Sequence, residues 1–208
     1  KALNSRYVSF LDIGGSHAHR LKPLVERLRI PTVIITDIDP SAVKDGKLKK
    51  DGTPSKRLVA VPNTGQKDLQ SGNQTLRGWH PKLEKLDDFR EPTDTTLIWK
   101  EIEGCPVRFS WQLPITEHKD CWPSTFEDSL VMTNLSWFKG LLKDESDDEE
   151  DDEGEYEKET PKGALGSVAK LAEKEISAQQ LLRELHTLMH GSSFNKGNFA
   201  ANIFELIS

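Results

Sequence analysis

The apolar positions change period several times along the chain. Residues 6–15, "RYVSFLDIGG", put Tyr7, Val8, Phe10, Leu11 and Ile13 into a short run that ends on Gly14-Gly15, which predicts a strand entering a glycine turn. Residues 16–30 then carry Leu21, Leu24, Val25 and Leu28 at i, i+3, i+4 and i+7, the spacing of an amphipathic helix, with Pro23 early enough for its first turn. "PTVIITDID" follows, continuously apolar in the manner of a buried parallel strand. Strand, helix, strand in so few residues predicts a βαβ crossover and hence an α/β fold around a parallel sheet.

Residues 40–75 read as a long polar excursion at the sheet edge, with a short strand-like "RLVAVP" at 57–62. A helix or broken helix is expected over 75–89, and strands over 95–104 and 105–115. Residues 123–142 predict one helix, capped by Ser124 or Thr125, with Glu127 and Asp128 in its first turn where negative charge suits the dipole. A further helix is expected over 166–191, ended by Gly191, and a final amphipathic helix over 195–208. No internal repeat is visible.

Charge alters this picture. The net charge of −6 hides a tract, 144–159, holding twelve acidic residues and one lysine; the rest has 22 acidic and 27 basic residues, a body of +5 able to hold a polyanion. The tract is expected to be disordered. The Lys/Arg cluster Lys44, Lys47, Lys49, Lys50, Lys56 and Arg57 reads equally as a phosphate-backbone contact or a solvated loop. Two cysteines, Cys105 and Cys121, form no CxxC and no framework, which fits a reducing, cytoplasmic setting. No run is long and apolar enough for a bilayer span, so no membrane association is expected. A start on Lys1 close to a strand-like segment suggests a fragment of a longer protein.

The candidate chemistry centres on Asp37 and Asp39. Alternation along an extended segment points both carboxylates the same way. Like charges side by side raise each other's pKa unless a cation sits between them, and a divalent metal is the natural guest. The bland reading is turn formation before Pro40. For Glu127 it is capping chemistry, and for Lys196 a solvated lysine. His186 and His190 stand i, i+4 and could grip zinc, but no third ligand is near in sequence. The five tryptophans, in apolar settings, are expected in the core.

Taken in order, "IPTVIITDIDP" around Asp37 and Asp39, "NQTLRGW" at 73–79, "STFEDSLV" at 124–131 and "NKGNFAANI" at 195–203 resemble the Toprim domain of the OLD (overcoming lysogenization defect) family of nucleases. The resemblance implies a Toprim-like parallel sheet flanked by helices with a C-terminal helical appendage: a catalytic domain over 1–143, an acidic loop over 144–162, and a helical segment over 163–208 that completes the domain and carries Lys196. It implies Asp37, Asp39, Glu127 and Thr125 as ligands of two Mg²⁺ or Mn²⁺ ions, Lys196 as the cation on the scissile phosphate, and metal-dependent endonucleolytic hydrolysis of DNA. It further implies an ATPase domain ahead of this region and a possible homodimer. The family's EGxxE-like glutamate motif and a Walker A pattern are both absent from this sequence. Two other readings remain: a different DxD phosphoryl-transfer enzyme (an aspartyl phosphatase or a nucleotide-sugar transferase), or a non-catalytic DNA-binding module.

Overall fold

The computed structural model describes residues 8–14, 16–100, 105–115, 121–142 and 162–207. Tyr7, the end of the strand expected over 95–104 and the acidic tract 144–159 lie outside the described residues.

After a 3₁₀ turn, Ala18–Leu21, helix α1 spans Lys22–Leu28 with Pro23 in its first turn. Arg29 ends it in the left-handed conformation, φ 50°, its N–H bonded to the Val25 carbonyl. The chain passes directly into strand β1, Thr32–Ile35. β1 pairs in parallel with β6, Val107–Ser110, in the register Thr32↔Val107 to Ile35↔Ser110. β6 also pairs antiparallel with the two-residue β5, Ile98–Trp99. A second sheet, in the order β3-β2-β4, is wholly antiparallel: β2 is Pro40–Leu48, β3 Pro54–Ala60 and β4 Gln70–Ser71. The protein is therefore mixed α/β with small sheets, and one parallel pair stands where a parallel sheet was expected.

Three expectations fail for local reasons. Residues 8–14 form no strand: Phe10 is 94% exposed, and the Asp12 carboxylate accepts the Gly14 N–H at 3.0 Å, a turn that competes with a ladder. β1 buries Ile34 but leaves Val33 and Ile35 in solvent, so only one of its faces is covered. The excursion 40–75 contains β2, the longest strand among the described residues. Its hairpin closes at Asp51-Gly52, where Asp51 accepts from the Thr53 N–H at 2.9 Å and Gly52 takes φ 81°, a conformation that needs glycine.

The helices divide where side chains cap them. α2, Gln74–Gly78, stops just before Pro81, and a 3₁₀ turn, Leu86–Phe89, follows, the broken form of the helix expected there. A Thr93–Thr96 capping box turns the start of the next predicted strand into a short helix, α3, Asp94–Leu97. The helix predicted over 123–142 is two, α4 (Phe126–Thr133) and α5 (Leu135–Gly140); Asn134 divides them, its Nδ2 donating to the Leu130 carbonyl. That predicted over 166–191 is also two, α6 (Gly163–Ala172) and α7 (Ala178–Met189), with Ser177 capping the second. α8 spans Lys196–Ile207 as expected.

Two apolar clusters result. The first packs the three-stranded sheet around Trp79, Phe89, Trp99, Phe109, Trp111 and Trp122; four of the five tryptophans are thus core, and Trp137 is partly exposed. The second gathers α4 to α8 around Val131, Phe138, Leu165, Leu182, Leu185 and Phe199. Cys105 and Cys121 are buried and unbridged. Among the described residues no helix is long and apolar enough to cross a membrane.

Phe109 is fully buried and meets Trp79 edge-on at 5.3 Å. Phe109→Ala is expected to cost about 3–5 kcal/mol in urea denaturation, whereas Phe10→Ala should stay within about 0.5 kcal/mol. A large loss from Phe10→Ala would mean that residues 8–14 are packed after all.

Candidate functional site

The site grows from the carboxyl end of the parallel pair. The last ladder bond runs from the Thr36 N–H to the Ser110 carbonyl, 3.0 Å. Two residues past the last register pair, Ile35 and Ser110, Asp37 and Gln112 leave their strands together. The Gln112 side chain carries the pairing on: its Oε1 accepts the Ile38 N–H at 3.0 Å and its Nε2 donates to Asp37 Oδ1 at 2.6 Å. Ile38 is fully buried between them. Asp37 and Asp39 thus lie beyond the strand rather than on it, and alternation along an extended segment does not explain their placement.

Asp39 takes φ 49°, left-handed for a residue with a Cβ. Such a conformation costs about 1–2 kcal/mol, less for Asp than for most residues, and recurs where a site constrains the backbone. Here it turns the chain out of β1 and into β2. The corner is held by the Gly72 N–H, 2.6 Å from the Asp39 carbonyl; a Cβ on Gly72 would lie 2.7 Å from Ser41 Oγ and 3.2 Å from the Asp39 carbonyl oxygen, so a side chain there would displace Ser41. Asn73, fully buried, pins the same corner. Its Oδ1 caps α2 by accepting from Thr75 and Leu76 N–H, and its Nδ2 donates to Thr36 Oγ1 and to the Asp37 carbonyl.

α4 supplies the second side. Its first N–H, from Phe126, donates to Asp37 Oδ1 at 3.1 Å, so that oxygen accepts two bonds while Oδ2 has no protein partner among the described residues. The turn into α4 is locked by Asp128, 1% exposed, which accepts from Ser124 and Thr125 N–H and from the Thr125 hydroxyl. Thr125 therefore serves as a helix cap here. Glu127, on the next residue of the turn, pairs with Lys196 at 3.0 Å. Lys196 opens α8, whose Phe199 is seated in the second core.

The electrostatics follow from this crowding. Burial pushes Asp39 up to about 6, and the neighbouring Asp37 adds to the rise against the pull of Lys196. Asp37 is raised by burial and by Glu127, against the bonds from Gln112 and Phe126 and the charge of Lys196. Burial also lifts Asp128 to about 6, despite its three donors. Glu127 runs the other way: burial raises it, but its own backbone N–H and the bond from Lys196 outweigh that and hold it low. His190, at the end of α7, is lowered by burial and by Lys196 and feels the opposing charge of Glu127 and Asp37, which places it in the field of the same site. Its ring lies 4.2 Å from that of His186.

Of the residues singled out in the sequence, Asp37, Asp39, Glu127 and Lys196 meet at this edge, and Thr125 stands beside them with its hydroxyl engaged. Sequence reasoning missed Gln112, Asn73 and Asp128 as positioning residues. Gln112 had one available signal, its place inside the strand expected over 105–115, of which the structure keeps Val107–Ser110. Among the described residues no three carboxylate, imidazole or thiolate groups converge closely enough to enclose a metal ion. The site offers instead an open carboxylate pair with uncompensated charge. That set fits Mg²⁺, which keeps several waters and takes one or two carboxylates plus phosphate oxygens, and it does not fit a closed tetrahedral zinc site.

An open acidic edge at the carboxyl end of a parallel pair is where α/β folds gather phosphate chemistry. Residues 1–39 match the family model of the overcoming lysogenization defect protein-like TOPRIM domain. The resemblance to that family's Toprim region is thus shown over the segment that ends on Asp39, while the stretches at 73–79, 124–131 and 195–203 lie outside the match. No curated protein and no solved structure matches the chain.

Asp39→Asn is expected to stabilise the metal-free protein. A carboxyl whose folded pKa is raised from 3.8 to about 6 contributes stability that is present below pH 4 and lost as pH rises through about 6. Discounted for partial exposure, the substitution should gain about 1–2 kcal/mol at pH 7.5 in EDTA and nothing at pH 4. Denaturant titrations at the two pH values check this. Asn73→Ala, which leaves buried donors unpaired and removes a cap, should lose about 2–4 kcal/mol by the same method.

Proposed function

We propose that this chain carries a Toprim-type site that hydrolyses phosphodiester bonds in DNA with Mg²⁺. The observation that carries the reading is the convergence of Asp37, Asp39, Glu127 and Lys196 at one sheet edge, from segments far apart in sequence. The family-level match over residues 1–39 points to the same class of metal-binding phosphoryl transfer.

Each side chain has a task in this reading. Gln112 and the Phe126 N–H hold Asp37 Oδ1, which leaves Oδ2 to face a cation beside Asp39. Mg²⁺ bound there would act as a Lewis acid, stabilising charge on the phosphoryl oxygens. The Lys196 ammonium, a point charge on a flexible stem, moves from Glu127 onto the scissile phosphate as negative charge grows there. Its departure frees Glu127. A second ion, Mg²⁺ or Mn²⁺, would then lie at Glu127, with the Thr125 hydroxyl as a further oxygen once it gives up Asp128. The ATPase domain implied by the resemblance and a homodimer belong to the same proposal, as partners of the longer protein.

Supercoiled-plasmid nicking tests the reading. The chain should nick in Mg²⁺ and not in EDTA, and Asp37→Ala or Lys196→Ala should each cut the rate by about 100-fold or more. Mg²⁺ should also raise the unfolding temperature of the wild type more than that of Asp37→Ala. Nicking that survives Asp37→Ala would overturn the mechanism. DNA binding without turnover in any metal would favour a non-catalytic DNA-binding module.

A further inference from the structure

The hairpin β2–β3 leaves the body at Pro40, the residue after Asp39. Its root is fixed: the Val61 N–H bonds to the Pro40 carbonyl, β4 pairs at Pro40 and Ser41, and Ser41 and Leu69 are buried. Beyond Ala42 the β2 strand stands largely in solvent on both faces, as does the start of β3. Nine residues of extended chain reach about 30 Å. Residues 40–60 hold six Lys/Arg and two Asp, +4, which is most of the +5 carried outside the acidic tract.

The two faces of the arm differ. On one, Asp45 is opposite Lys56 and pairs with it. On the other, Lys44 stands directly opposite Arg57, and neither side chain has an ion-pair or hydrogen-bond partner among the described residues. Like charges directly opposite are destabilising in a sheet, so this face is incomplete without an anion. On this face Gly46 lies against Ser55 and Arg57, and a shallow recess there reaches the strand edge at Asp45 and Lys47, toward the tip. At the tip, the side chains of Lys47, Lys49 and Lys50 likewise have no partner among the described residues, while the Asp51 carboxylate is engaged by the Thr53 N–H and hydroxyl.

We infer that the β2–β3 hairpin is an arm that grips the phosphate backbone of duplex DNA and lays it across the Asp37–Asp39 edge, an inference that rests on the phosphodiester reading of that edge. A two-stranded ribbon is a shape that a duplex groove admits. Single strands are held on aromatic platforms, and residues 40–60 contain no aromatic side chain. Lysines with a single arginine give charge without a base-reading set, so the grip is independent of sequence.

Fluorescence anisotropy with a labelled 30-base-pair duplex in EDTA, over a salt series, tests the arm on the whole chain. The double variant Lys44→Gln/Arg57→Gln should weaken binding at least tenfold and flatten the slope of log K against log salt by about 2, near 0.9 per lost phosphate contact. Lys170→Gln, on α6, should change neither. Arg57→Glu should raise the unfolding temperature, because it relieves the cross-strand repulsion, while it lowers duplex affinity. An unchanged affinity and slope in the double variant would overturn the arm, as would tighter binding to a single strand of the same sequence. Arm-dependent binding to phosphatidylserine vesicles with none to the duplex would make it a membrane contact instead. Nicking lost in Asp37→Ala but kept in the double variant would sink the arm and leave the site. Arm-dependent binding with no cleavage in any metal would do the reverse.

Discussion

Everything at the acidic edge depends on the pairing of β1 with β6. Four residues of parallel ladder fix which residues emerge opposite one another at the carboxyl end. Asp37 emerges beside Gln112, whose amide then stands in for the backbone pairing that has ended. A slip of β1 by one residue against β6 would turn Ile34 to solvent and separate Asp37 from its donor. The buried alternation of Val107 and Phe109 in β6 makes such a slip costly. The site's geometry is therefore enforced by the first core rather than by the acidic residues themselves, which repel each other and would separate if free.

The second core answers that repulsion. α4 brings an N-terminal N–H to Asp37 and Glu127 to its side, and α8 brings the lysine that holds Glu127. Both helices are anchored away from the edge, by Val131 and Phe199, so their polar ends are presented at small entropic cost. Asp128 is the clearest local conflict. A buried carboxylate is costly unless satisfied, and its three donors all come from the two residues that precede α4. That cost keeps the start of the helix in place beside Asp37.

How far the sequence foretold this depends on which force shaped each part. The helical pattern of apolar residues marked α1 and α8, and the strand expected over 105–115 contained β6, because those elements carry their own apolar face. β2 carried none: Lys44, Asp45, Gly46 and Lys47 interrupt its few apolar residues, and only Asp51-Gly52 signalled the turn that builds it. The divided helices ran together on paper because Asn134 and Ser177 break them by side-chain hydrogen bonds rather than by glycine or proline. Asp37 was legible as the end of an apolar run, whereas Glu127 and Lys196 stood out only through the family resemblance. Gln112, the donors of Asn73 and the left-handed Asp39 belong to tertiary structure: Gln112 and Asn73 reach Asp37 from 75 and 36 residues away, which no short window of sequence contains.

The ion pair between Glu127 and Lys196 joins residues 69 positions apart, with the acidic tract between them. During synthesis the carboxylates of Asp37, Asp39, Glu127 and Asp128 leave the ribosome long before the lysine does. A nascent chain halted in between would hold a cluster of negative charge with no resident cation, anchored by only part of the second core. The order of residues along the chain thus makes the last helix the moment of completion: Glu127 acquires its counter-charge only as α8 docks.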